Sequence, residues 1–353
     1  MEYAHEDVTE GLVRLTVPAA ERRRGPGKRT ALPFFNPTMA VNRDLTVLAL
    51  QALGGGHLLD ALTGTGALAA RVARETSWRV TAADRNPDAV ALARRNIEAN
   101  GGGTVVRADL RFHPPTGDFT HIDVDPFGTP APFVANVLAV PTLRSLSVTA
   151  TDTGALCGSF PDACVRKYGI RTGRCPFSKE IGVRALLAFV AMRAQEQGRR
   201  LVPLVSVAAE HFLKVIVRVE PAVGRPDLRH LTLEDTGAWR WSAEGWGPLW
   251  AGPLWDPFFL ARMEPAAWMP HATAALVYRL REEANAPAFY WTTAEVSRRL
   301  RGAPPKMEDL LSALRGAGFT ATRTHFAPDG FRTTAGIGDV VRLGWDHGPS
   351  GAS

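Results

Sequence analysis

Between His57 and Asp125 the chain repeats one pattern, an apolar run of strand length followed by a carboxylate and then a more polar segment. His57 to Leu62 reads as a buried strand carrying Asp60, and Trp78 to Ala83 ends in Asp84. Gly103 to Ala108 ends in Asp109, and Phe119 to Val124 ends in Asp125. Ala67 to Glu75 and Pro87 to Asn100 lie between these runs and have helical length. Alternating strands and helices of this size connect by right-handed crossovers, which dictates a parallel, doubly wound α/β sheet. Leu143 to Ala150 continues it, Ser178 to Gln197 predicts a long helix, and Leu201 to Val207 with Phe212 to Val219 predict a closing antiparallel pair. Ligands of such sheets bind at the carboxyl ends of the strands, where these aspartates fall.

The first of those ends is Asp60-Ala61-Leu62-Thr63-Gly64-Thr65-Gly66-Ala67. Gly64 and Gly66 let the backbone approach a ligand, and Asp84, at the end of the next strand, suits a pair of ribose hydroxyls. The spacing fits a nicotinamide dinucleotide as well as S-adenosylmethionine. Asp60 favours the latter, because a carboxylate there attracts a cationic methionine end and repels a pyrophosphate. Asp109 is positioned to accept from an adenine amino group.

The fourth end is Ile122-Asp123-Val124-Asp125-Pro126-Phe127-Gly128-Thr129-Pro130. A proline-stiffened turn fixes the direction of Asp125 and presents Phe127 beside it. Carboxylate, rigid backbone and aromatic face suit a flat base whose exocyclic amino group donates hydrogen bonds. Asp123, two residues earlier, shares that face only if the strand stays regular, and reads as support rather than as a second base.

The chain has 353 residues, 45% hydrophobic and 22% charged, enough for two domains with ordinary cores. Its formal charge of +6 permits a polyanionic partner. Only five of the 41 basic residues are lysines, an arginine excess that a GC-rich genome also produces. Cys157, Cys164 and Cys175 lack zinc spacing and read as reduced thiols, which with an acidic N-terminus and no membrane-length apolar run predicts a cytoplasmic protein without a metal. Beyond Pro221 a Trp/Gly/Pro-rich stretch, Trp239 to Trp255, reads as a link. Helices at Pro270 to Ala284, Thr293 to Arg301 and Lys306 to Ala317, then a hairpin through Phe331 to Thr334, predict a winged-helix-like module. The expected division is 1–256 for a catalytic domain and 257–353 for a smaller α+β domain.

With these residues in view the chain resembles the tRNA (guanine-26, N2)-dimethyltransferases. The resemblance is carried by Phe34-Phe35-Asn36-Pro37, Asn42-Arg43-Asp44, Asp60-Ala61-Leu62, Asp123-Val124-Asp125-Pro126-Phe127-Gly128, Val148-Thr149-Ala150-Thr151-Asp152, Leu156-Cys157-Gly158, Arg166-Lys167-Tyr168-Gly169, Gly247-Pro248-Leu249-Trp250 and Thr322-Arg323-Thr324-His325-Phe326. It implies a class I Rossmann-like S-adenosylmethionine-dependent methyltransferase domain followed by a tRNA-binding domain that contains the last block. It also implies Arg43, Asp84 and Asp109 as methyl-donor contacts, Leu110 as a backbone contact and Asp125 as the acid/base residue. Where family members commonly carry Gly-Ile-Arg, this chain has Gly66-Ala67-Leu68, so an arginine contact is missing or is supplied by Arg71.

In the mechanism these residues suggest, Asp125 accepts from the guanine N2–H and takes the proton, and the Pro126 carbonyl holds the second N–H. Phe34 and Phe127 sandwich the extruded base. Asp152 is expected to pair with a basic residue or cap a turn, and His211 and His325 to be surface residues or phosphate contacts. Arg22, Arg23, Arg24, Lys28 and Arg29 form a basic loop able to meet RNA. Three rivals remain: an amino-methyltransferase acting on another nucleobase site such as adenine N6, a tRNA-binding protein with a weakened donor site, and a nicotinamide oxidoreductase.

Overall fold

The N-terminal chain forms a hairpin, β1 (His5–Glu10) and β2 (Val13–Pro18), that the sequence pattern did not announce. Val13, Leu15 and Val17 are buried, while Arg14 and Thr16 alternate with them, so β2 lays one apolar face on the body of the protein. The computed structural model describes residues 3–19, 32–234 and 239–345. The basic run Arg22 to Arg29 lies outside the described residues.

Then follow α1 (Ala40–Leu53), β3 (His57–Asp60), α2 (Ala67–Glu75), β4 (Arg79–Asp84), α3 (Pro87–Ala99), β5 (Thr104–Arg107) and β6 (His121–Val124). Two of these helices start where local chemistry satisfies a first N–H group or bends the chain into the helix. Gly66 enters α2 in the left-handed conformation, and Asn86 caps α3 by accepting from the Asp88 N–H with Pro87 next to it. The chain continues through α4 (Ala131–Leu138), β7 (Ser145–Ala150), α5 (Thr153–Leu156), α6 (Pro161–Tyr168), α7 (Ser178–Glu196), β8 (Arg199–Ala209) and β9 (Phe212–Pro221).

Seven strands form one sheet in the order β5-β4-β3-β6-β7-β9-β8. β3, β4, β5, β6 and β7 are parallel, and β9 runs antiparallel to both β7 and β8. The doubly wound sheet and its antiparallel closure are those expected. The strand order reverses between β3 and β6, which opens a crevice at their carboxyl ends. In the pairing of these two strands Asp60 faces Asp123, so the glycine turn and the Asp-Pro-Phe turn emerge side by side.

The Trp/Gly/Pro stretch expected as a link is instead a three-stranded antiparallel sheet of β10 (Leu228–Leu233), β11 (Trp239–Ser242) and β12 (Trp246–Trp250). Cross-strand pairs such as Leu231↔Trp241 and Leu231↔Trp246 build it, and Leu249 and Trp250 are buried. Large aromatic areas thus hold a sheet where no clean polar alternation marks one.

The C-terminal elements are α8 (Pro257–Arg262), α9 (His271–Glu283), β13 (Trp291–Thr292), α10 (Thr293–Leu300), α11 (Met307–Gly316), β14 (Ala321–Arg323), β15 (Gly330–Thr333) and α12 (Ile337–Gly344). Leu260, Met263, Val277 and Leu280, from α8, α9 and the residue just after α8, join the large core of the sheet. A separate small core gathers Leu310, Leu311, Leu314, Ala321, Phe331, Ala335 and Val340 around the three-stranded sheet β13-β15-β14.

The two cores are joined by buried ion pairs. Arg332 bonds Glu180 of α7 at 2.9 Å and Glu283 of α9 at 3.0 Å, all three side chains being fully buried. His325 also pairs with Glu283 and accepts from the Ala208 N–H at 3.2 Å. It is therefore a buried junction residue and not the surface histidine expected, because the block Thr322 to Phe326 folds inward against β8 and α9.

Candidate active site

Asp125 stands just beyond β6, half-buried, at the crevice. Its Oδ2 accepts from Asn42 Nδ2 at 3.0 Å. Asp123 accepts from Thr46 at 3.2 Å, one turn along α1 from Asn42. Both carboxylates therefore face α1, and the strand keeps its two-residue period to its end. Asp123 is 1% exposed and also accepts from Lys214 Nζ at 3.1 Å, which makes it an internal strut.

The turn that follows is held by the end of β7. Thr151 Oγ1 accepts from the Gly128 N–H at 2.7 Å, and the Thr151 N–H donates to the Gly128 carbonyl at 2.9 Å. Asp152 accepts from Tyr168 at 2.7 Å and Lys167 at 2.9 Å, and Thr129 donates to the same tyrosine oxygen at 2.8 Å. This pairing explains the polar Thr149-Ala150-Thr151-Asp152 sequence at the strand end. Pro126 is buried, while Phe127 is 51% exposed and Phe34 40%.

The two rings meet with centroids 5.7 Å apart and planes at 75°. They are brought together as expected, but edge to face. A parallel sandwich of a flat base would require one ring to turn from this edge-to-face arrangement.

Gly64 and Gly66 have φ of +56° and +78°. A Cβ on Gly64 would lie 2.9 Å from the Phe34 carbonyl oxygen, so this glycine lets the chain carrying Phe34 lie directly on the turn. Asp84 accepts from the Gly64 N–H at 3.1 Å and the Asn86 N–H at 2.9 Å, and so stands fixed beside the glycines. Asp60 is 4% exposed and accepts from Thr63 at 2.6 Å. Burial, against the Thr63 hydrogen bond, pushes its carboxyl up to about 7, and Asp123, Asp125 and Asp84 add to the rise. A carboxyl so poised is readily ionised by an adjacent cation.

The outer part of the expected donor site is more engaged than the sequence suggests. Both oxygens of Asp109 are bonded to Arg111, which holds the carboxyl down to about 2, so an adenine amino group would share this carboxylate with the guanidinium. Leu110 is buried and its carbonyl accepts from Asn136 at 2.8 Å. Arg43 donates from Nε and Nη2 to Glu10 at 2.6 and 2.5 Å and from Nη2 to the Asn36 carbonyl at 3.1 Å. Arg71 is fully buried and bonds Asp44 at 2.6 Å, Glu75 at 3.0 Å and Glu10 at 3.2 Å. Three carboxylates already satisfy Arg71 inside the fold, so a donor contact there would have to share the guanidinium with them.

Burial also raises Asp125, to about 6; Lys214 opposes the rise and Asp123 adds to it. Lys214 and Thr149 were not singled out for this site from the sequence. The available signal was one lysine inside Phe212-Leu213-Lys214-Val215-Ile216-Val217. Among the described residues no cluster of three His, Cys, Asp or Glu is arranged to hold a metal, and no helix is long and apolar enough to cross a membrane.

Comparison with known proteins gives the same picture. Residues 19–230 and 239–343 match the family described as N2,N2-dimethylguanosine tRNA methyltransferase. A tRNA (guanine(26)-N(2))-dimethyltransferase of Methanoregula boonei is 34% identical, over 93% of this chain and 95% of the relative. The enzyme of the same name from Thermococcus kodakarensis is 32% identical over 95% and 98%. The solved structure of Trm1 from Pyrococcus horikoshii in complex with S-adenosyl-L-methionine superposes with a TM-score of 0.85 at 28% identity, covering 96% of this chain and 99% of that one. With the crevice, its glycine turn and its Asp-Pro-Phe turn all in one sheet, the chain belongs to the N2,N2-dimethylguanosine tRNA methyltransferase family.

Proposed function

We propose that the protein transfers one or two methyl groups from S-adenosylmethionine to the exocyclic N2 of guanosine 26 in tRNA, with Asp125 as the proton acceptor. The observation that carries this reading is Asp125 itself, aimed by Asn42 and rimmed by Phe34 and Phe127 beside the glycine turn. Gly64, Gly66, Asp60 and Asp84 would hold the donor, with Arg43, Asp109 and Leu110 at its margins. Bound there, S-adenosylmethionine supplies an electrophilic methyl group.

The lone pair of guanine N2 is delocalised into the ring and is a weak nucleophile. Asp125 accepts a hydrogen bond from N2–H, draws that lone pair towards the methyl, and takes the proton as the N–C bond forms and the S–C bond breaks. General-base assistance of this kind contributes about 10²–10⁴ in rate. The Pro126 carbonyl holds the second N–H, and rotation of Phe34 or Phe127 lets the rings stack on the base. A second transfer needs only that the monomethylated nitrogen rebind with its remaining hydrogen towards Asp125. The C-terminal residues 257–353 would bind the body of the tRNA, with the small core around β13, β14 and β15 as the module.

The test is transfer of tritiated methyl from S-adenosylmethionine to unmodified tRNA transcripts carrying guanosine or adenosine at position 26, with nucleoside mass spectrometry. Methylated guanosine from the first transcript alone, lost in Asp125→Ala, is the expected result. Transfer to neither transcript would favour a binding protein.

A further inference from the structure

Lys214 sits within β9, 1% exposed, opposite Thr149 of β7 in the sheet. A buried ammonium is costly unless paired. Its Nζ lies 3.1 Å from Asp123 Oδ1 and 3.2 Å from Thr149 Oγ1. Asn42 Nδ2 reaches Thr149 Oγ1 at 3.4 Å and Asp125 Oδ2 at 3.0 Å. One continuous chain of polar contacts therefore runs from the ammonium to the carboxylate at the crevice.

An apolar pair replacing Lys214 and Asp123 would serve packing as well or better, because buried ion pairs add little net stability. What an apolar pair lacks is a positive charge for a second carboxylate. The charged groups that act on Asp125 include Asp123 on its own strand, Lys214 from β9, Arg43 from α1 and Asp60 from the end of β3. Two of these four are carboxylates, and Arg43 already binds Glu10 through Nε and Nη2. Asp123 Oδ2 is buried and has no hydrogen-bond partner among the described residues, so Asp123 needs the lysine as well.

We propose that Lys214 is a positioning residue for methyl transfer: anchored on Asp123 and linked through Thr149 and Asn42, its ammonium keeps Asp125 anionic and aimed at the amino group of the base. This role rests on Asp125 being the proton acceptor. The lysine never touches the base and acts through the carboxylate alone.

The test is kcat against pH at saturating tRNA and S-adenosylmethionine for wild type, Lys214→Met, Asp123→Asn, the double variant and Asp125→Asn. In Lys214→Met the acid limb moves up by about one pH unit or more, so the rate falls about tenfold at about pH 5 and about twofold or more at about pH 7, and returns in alkali. KM for tRNA and donor affinity stay within about twofold. The double variant, neutral at both positions, brings the limb back towards that of wild type. A limb unmoved in Lys214→Met, a loss equal at every pH, or a double variant no better than the single overturns the proposal. Should Lys214→Met fail to fold, Asp123→Asn decides: it keeps the ammonium and removes the competing carboxylate, so its limb moves to lower pH, and an unmoved limb overturns the proposal. An inert wild type or an active Asp125→Asn overturns the underlying role of Asp125 together with that of the lysine, whereas an active wild type, an inert Asp125→Asn and an unshifted Lys214→Met overturn the lysine's role alone.

Discussion

Asn42 donates to Asp125 at 3.0 Å across 83 positions of sequence, from the first turn of α1 to the turn after β6. The helix that carries Asn42 also carries Arg43 and Asp44, so three adjacent side chains serve three tasks. Asn42 aims the crevice carboxylate, Arg43 ties in the N-terminal hairpin through Glu10, and Asp44 neutralises Arg71.

Asp125 must be ionised to accept a proton, and its raised pKa of about 6 has a visible consequence. The rate is expected to hold above that value and to fall tenfold per unit as pH drops through and below it. Asp125→Asn keeps the shape and removes the base, lowering kcat by about 10²–10⁴ while donor affinity is retained. A pH–rate profile of wild type beside single-turnover assays of the variant checks both, and an Asp125→Asn rate within threefold of wild type would refute the assignment.

Phe34 and Phe127 are exposed, so trimming either leaves thermal stability nearly unchanged. Stacking on a base is worth about 1–3 kcal/mol per ring. Phe34→Ala and Phe127→Ala are each expected to lower kcat/KM for tRNA by about 5- to 150-fold with the donor Kd unaltered, read by steady-state kinetics and calorimetry. Loss of donor binding instead would show that the rings belong to the donor site.

Gly64 has φ of +56° and a Cβ there meets the Phe34 backbone oxygen at 2.9 Å. Gly64→Ala therefore strains the turn by about 1–2 kcal/mol and displaces the segment bearing Phe34. Weaker donor binding and weaker tRNA turnover should appear together in titration and kinetics. An alanine variant with wild-type affinity for the donor would mean that the turn does not touch it.

Glu283, against the burial that would raise it, is lowered to about 2 by His325 and Arg332. A depressed carboxyl contributes stability that is fully present above its unfolded value of about 4.3 and is lost as pH falls towards about 2. Thermal melts should accordingly decline below about pH 4 in wild type. Glu283→Gln leaves Arg332 short of a charge in a closed interior and should cost about 3–5 kcal/mol at neutral pH, with a flatter acid dependence. Equal melting temperatures for the two proteins at pH 7 would contradict the reading of this junction.

The sheet was legible because its strands are short apolar runs separated by helices of ordinary length, a pattern with one handed solution. Asp60, Asp84, Asp109 and Asp125 were legible as strand-end carboxylates for the same reason. The β10–β12 sheet was not, since tryptophans and prolines lack the alternation that marks a half-buried strand, and the β1–β2 hairpin hides its apolar face among acidic neighbours.

Charge pairing was equally invisible along the chain. Arg71 and His325 look like ligand contacts in sequence, yet Arg71 binds Glu10 and Asp44 from distant segments besides Glu75 on its own helix, and His325 binds Glu283. The order of residues determined by itself the sheet, its crevice and the chemistry offered at each strand end, because backbone periodicity and turn geometry are local. Only the tertiary structure decided which of those charges remain available, because a buried ion chooses its partner by proximity in space, and Lys214 reaches Asp123 across 91 positions of sequence.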